Sequence, residues 1–131
     1  MLASPCDGRL KLWVISRALD LRRRNEDLFA TGDYLAVSAA GPRARNVVAY
    51  ARRHQGRGAI AISGRLFASL GLVARAAPVG VDVWGNTRIE LPFAVPDSLN
   101  DVLSGRTIDA RQGELALATI FAELPCALLT W

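Results

Sequence analysis

From Asp7 to Tyr34, DGRLKLWVISRALDLRRRNEDLFATGDY, apolar residues recur at helical spacing; after Tyr34 they fall into short runs broken by Gly, Pro and Asn. No Pro or Gly interrupts Arg9 to Arg24, so the spacing predicts a helix over 9–24. Asp7 is placed to cap it, and Arg22, Arg23 and Arg24 sit where positive charge favours the carbonyl end of the helix dipole. At about 100° per residue, Leu10, Val14, Ala18 and Leu21 form one apolar stripe. Leu12, Ile15 and Leu19 form a second, separated from the first by Lys11 and Arg22. Trp13 projects from the remaining side, among Arg17, Asp20 and Arg24. The two stripes cover roughly 200°, about twice the arc a single core requires. The helix is therefore expected to be buried on two sides or to lack a neighbour. Leu10, Leu12, Trp13, Val14, Ile15, Ala18, Leu19 and Leu21 make up the candidate partner-facing surface, with either stripe as the face turned to the partner.

The rest of the chain reads as short strands. Residues 25–29 suggest a helical turn closed by Thr31-Gly32. Strands are expected at 33–38, 47–53 and 59–63, the last two joined at His54-Gln55-Gly56 as a hairpin. Arg65 to Leu70 suggests a turn of helix ended by Gly71, and 72–83 shows no clear pattern. Trp84-Gly85-Asn86 leads into an alternation in which Thr87, Ile89 and Leu91 face one way and Arg88 and Glu90 the other. Further strands are expected at 101–103, 114–118 and 126–130, with Arg111-Gln112-Gly113 as a hairpin loop and 119–123 as a turn over the sheet. The expected fold is mainly β: an antiparallel, β-sandwich-like domain of about seven or eight short strands, preceded by one long N-terminal α-helix. This divides the chain into a helical segment, 1–31, and a β-domain, 32–131.

Composition adds limits. A chain of 131 residues with 51% hydrophobic content can bury a core of its own. The net charge of +4 comes from sixteen basic residues, all arginine except Lys11 and scattered along the chain, against twelve acidic ones. Nucleic-acid binding would gather the basic residues on one face among aromatics, so no nucleic-acid partner is expected. Cys6 and Cys126 lie at opposite ends without metal or redox spacing, which fits a reduced, cytoplasmic protein. There is no signal-peptide pattern, and the apolar run from Leu115 to Ala122 is far shorter than a membrane span, so no membrane partner is expected.

Candidate chemistry is sparse. None of the twelve carboxylates lies in a motif that fixes a catalytic pair; Asp97 and Asp101 read as solvated loop acids. His54 is the single histidine, which rules out a multi-histidine metal cluster, and it reads as an exposed turn residue. Ser63-Gly64 and Ser104-Gly105 lack the nucleophile-elbow pattern, and Gly56-Arg57-Gly58 opens no helix that would cradle phosphate. No catalytic residue, metal site or cofactor is expected. Trp84 is a candidate for stacking on a sugar, weighed against a role as a core anchor.

Several segments resemble a known family. Asp7-Gly8-Arg9-Leu10-Lys11-Leu12-Trp13, Arg17-Ala18-Leu19 and Leu21-Arg22-Arg23 resemble the last barrel helix of maltooligosyl trehalose synthase, of the α-amylase superfamily. The likeness continues in order through Asp27-Leu28-Phe29, Gly32-Asp33-Tyr34-Leu35, Val47-Val48-Ala49-Tyr50-Ala51-Arg52-Arg53 and Trp84-Gly85-Asn86-Thr87 with Leu91-Pro92. It ends with Asp101-Val102-Leu103-Ser104-Gly105 and Leu124-Pro125-Cys126-Ala127-Leu128-Leu129. The resemblance implies a parent enzyme that converts the reducing-end α-1,4 linkage of a maltooligosaccharide to α,α-1,1 through an Asp nucleophile and a Glu acid/base on barrel strands. No residue here matches those positions. The resemblance thus implies a C-terminal piece, structural and inactive on its own, which meets maltooligosaccharide only through the parent. Its helix would face the missing catalytic barrel or a second copy of the chain. The alternative is a stand-alone module that binds carbohydrate or protein.

Overall fold

The computed structural model describes residues 8–131 except residue 75. Helix α1 spans Arg9–Arg24, as its uninterrupted period dictates, with Arg22, Arg23 and Arg24 in the last turn. The expected Asp7 cap lies outside the described residues. The chain breaks at Asn25 (φ −133°, ψ 50°) and resumes as α2, Glu26–Ala30. Eight strands follow: β1 Asp33–Ala40, β2 Val47–His54, β3 Arg57–Gly64, β4 Arg88–Glu90, β5 Ser98–Asp101, β6 Thr107–Asp109, β7 Glu114–Ala116 and β8 Cys126–Thr130. Two short helices, α3 Val81–Trp84 and α4 Leu117–Ile120, interrupt the series.

The strands form a single antiparallel sheet in the order β6-β5-β8-β3-β2-β1-β4-β7. The antiparallel, mainly β expectation holds, with the helix in front; the sandwich-like arrangement does not, because the strands form one sheet. The reason lies in the connection from β6 to β7, the two edge strands, which only residues 110–113 separate. Five Cα steps span at most about 18 Å. Eight flat strands would hold their edges roughly 34 Å apart. The sheet must curl until its edges approach, giving a nearly closed barrel. Arg111-Gln112-Gly113 is accordingly not a hairpin loop but a 3-10 turn that bridges the opening, with Gln112 at φ 63°.

One core fills the curl, and every strand supplies it: Val37, Ala49, Ile60, Ile89, Leu99, Ile108, Leu115 and Leu129 all point inward. Along β2 the buried Val47, Ala49 and Ala51 alternate with the outward Val48, Tyr50 and Arg52, the period of two that a sheet wet on one face requires. The β2–β3 hairpin closes on Gln55 and Gly56, both at positive φ, with His54 opposite Arg57. That is the turn hand which matches strand twist. α3 and α4 meet through Trp84 and Phe121, edge to face at 5.1 Å between ring centroids.

Several local expectations shift. The strand expected at 101–103 lies earlier, at Ser98–Asp101, and β6 is a strand that the sequence pattern did not predict. The strand expected at 114–118 stops at Ala116, where α4 begins. Trp84 closes a short helix rather than leading directly into β4.

Candidate functional site

The sheet's outer face and α1 together form the surface of interest. The side chains of Val48, Tyr50 and Arg52 on β2, Ala61 and Ser63 on β3, and Cys126 and Leu128 on β8 stand outward by strand alternation. α1 crosses over them with Leu10, Val14, Ala18 and Leu21 half-buried. Between helix and sheet lies an apolar groove of about 590 Å³, edged by Leu19, Arg22 and Phe29. The second stripe faces solvent: Leu12 is 69% exposed, Leu19 58% and Ile15 42%. No residue of α1 is buried.

Trp13 joins the sheet-facing side rather than standing apart from it. Its Nε1–H donates to the Leu103 carbonyl at 3.1 Å, and the Arg17 guanidinium lies 4.2 Å over its ring. The wheel places Trp13 about 60° from Leu10, near enough to the packed stripe for a long indole to reach the turn after β5.

Other candidates fall elsewhere. Trp84 is fully buried, donates from Nε1 to the Pro78 carbonyl at 2.8 Å and packs on Phe121, so its indole offers no face to a sugar. Asp101 is not a solvated loop acid: it ends β5 and is 2% exposed. Its Oδ1 accepts from the N–H groups of Leu103 and Leu128, each at 3.1 Å, and its Oδ2 accepts from the Ser104 hydroxyl at 2.5 Å. The Asp-x-x-Ser-Gly spacing was the available signal, since an aspartate bonding to the N–H two residues on is an Asx turn. Asn46, also missed, is buried and donates to the carbonyls of Arg65 and Leu66 and to Ser69 Oγ. His54 is half-buried at the end of β2. Among the described residues no group of His, Cys, Asp and Glu is arranged to hold a metal, and no helix is long and apolar enough to cross a membrane.

Burial pushes the Cys126 thiol above its ordinary value of 9.0, and the nearby Asp101 carboxylate adds to the shift. A neutral thiol in an apolar groove is a packing group rather than a nucleophile. Among the described residues, the surface thus offers apolar contact and a few arginines.

No family model matches the chain. Proteins described as maltooligosyl trehalose synthase in Mycobacterium tuberculosis strains CDC 1551 / Oshkosh and H37Rv are 34% identical over 119 residues, 91% of this chain. The solved structure of maltooligosyltrehalose synthase from Arthrobacter ramosus superposes with a TM-score of 0.67 at 34% identity, covering 92% of this chain; a point mutant of that enzyme gives 0.67 at 33%. In each case the match spans 13% of the relative's length. The chain is homologous to the maltooligosyl trehalose synthases over a segment amounting to about 13% of their length.

Proposed function

We propose that this chain is the C-terminal unit of a maltooligosyl trehalose synthase, with α1 as the last helix of the catalytic barrel and 32–131 as the β-domain that covers it. The parent rearranges the reducing-end α-1,4 linkage of a maltooligosaccharide to α,α-1,1, by the covalent two-carboxylate logic of retaining glycosidases. The unit contributes structure: it covers the barrel and stabilises it, and carries no turnover alone. The observation that carries this reading is the solvent-facing stripe of Leu12, Ile15 and Leu19, found on a segment whose homologues are far longer than the match. A stripe of large aliphatics on a 16-residue helix is what an absent neighbour leaves behind.

Association in trans tests the partner. The M. tuberculosis relative, lacking its matching segment, is co-expressed with tagged 1–131. Co-purification that Leu19→Asp abolishes, with the sheet still folded by circular dichroism, is the expected result. Failure to associate, or association indifferent to Leu19→Asp, would count against the assignment. The stand-alone sugar-binding alternative loses its main residue with the burial of Trp84. The exposed Tyr34 and Tyr50 stack on each other at 5.4 Å, and Arg52 lies 5.5 Å from the Tyr34 centroid, so part of each ring is engaged within the chain.

A further inference from the structure

α1 differs from every other long element in how it is held. Each strand places at least one side chain in the core, whereas α1 places none there. The short α2 is anchored by Leu28, which is 2% exposed. Between the anchored and unanchored helices the backbone leaves helical geometry at Asn25. That junction is fixed to the sheet, since Arg57 Nη1 donates to Asn25 Oδ1 at 3.1 Å. Near the far end, the indole of Trp13 reaches the Leu103 carbonyl. Between these two points helix and sheet enclose the groove of about 590 Å³ rather than interdigitating to interior density.

We propose that α1 is a hinged arm: it pivots about Asn25, latched by Trp13, and opens from the outer face of the sheet while α2 and the barrel stay folded. Local opening is least costly where few apolar side chains are buried, and α1 meets that condition along its whole length. Once released, a helix of this length is marginal in water and frays, so opening exposes its amides as well as the groove. In a longer parent, a barrel packed on Leu12, Ile15 and Leu19 would hold α1 from its other side, so the hinge belongs to the chain 1–131.

Amide hydrogen exchange on 1–131, resolved by residue, tests it. The amides of residues 17–21 are expected to exchange at least about 100-fold faster than those of β2, β3 and β8 in the same sample. Trp13→Phe should raise the α1 rates roughly three- to tenfold, the effect of one hydrogen bond, with sheet amides unchanged. Those sheet amides also report whether the variant is folded. A common exchange rate for α1 and sheet, no change in Trp13→Phe, or an equal acceleration of both regions would overturn the proposal.

Discussion

At the scale of single residues, Asp101 shows how a short loop is fixed. Its carboxylate satisfies two backbone N–H groups, from Leu103 and Leu128, and so ties the turn after β5 to β8. Removing it leaves both donors unmatched, that of Leu103 in a buried site and that of Leu128 in a partly buried one. Asp101→Ala is expected to cost about 2–3 kcal/mol in urea unfolding, and Asp101→Asn less, because an amide oxygen still accepts from both. Equal losses would show that the carboxylate's charge, rather than its acceptors, is what matters. Cys126 gives a pH-dependent counterpart. Its pKa is raised in the folded chain, first by burial and then by Asp101. The neutral thiol is therefore the favoured form, and the contribution to stability is intact below the ordinary value of 9.0 and lost as pH rises past it, because the unfolded chain ionises first. In a Cys6→Ser background, iodoacetamide should alkylate folded Cys126 more slowly than the urea-unfolded chain near neutral pH. Asp101→Asn should speed the folded reaction, and rates alike in folded and unfolded chains would contradict this assignment of the thiol.

At the scale of elements, the two stripes of α1 have different consequences for stability. Leu19→Gln changes a side chain that is 58% exposed and should shift unfolding by no more than about 0.5 kcal/mol. Leu28→Ala, one turn of chain beyond the hinge and buried, should cost about 2–5 kcal/mol. The join between α2 and β1 is equally exacting. A Cβ on Gly32 would collide with the Leu28 carbonyl oxygen and come within 2.9 Å of the Arg53 carbonyl oxygen, both backbone atoms with little freedom to yield. Gly32→Ala is expected to destabilise by about 1–3 kcal/mol in the same measurement. The bounds of α1, Arg9–Arg24, and of β8, Cys126–Thr130, were legible because a long uninterrupted helical period and a short apolar run after Pro125 leave little choice. β6 was not, since three residues, Thr107–Asp109, are too few to display a period. Nor could the wheel say which stripe packs: both are equally apolar, and only tertiary contact puts Val14 against the sheet and Ile15 in solvent.

For the molecule as a whole, inward–outward alternation reads the same in a sandwich and in a barrel, so the strand pattern led to the mainly β class but not to its closure. The brevity of residues 110–113 between edge strands decides closure, and that becomes visible only once pairing is known. Burial of Trp84 was equally hidden, because an indole that anchors a core and one that stacks on a sugar look alike in one dimension. The candidate surface was half legible: its apolar residues stood out and the Asp101 turn had a signal that went unread, while the Trp13 contact with Leu103 and the Asp101 bond to Leu128 needed the fold. On the proposed reading, the chain is a unit that contributes a surface rather than chemistry. The most direct measurement of that claim is proton NMR of purified, folded 1–131 incubated with a maltooligosaccharide, with the reducing-end signals followed over time. Those signals are predicted to persist undiminished. Their loss, with appearance of an α,α-1,1-linked terminus, would contradict the claim.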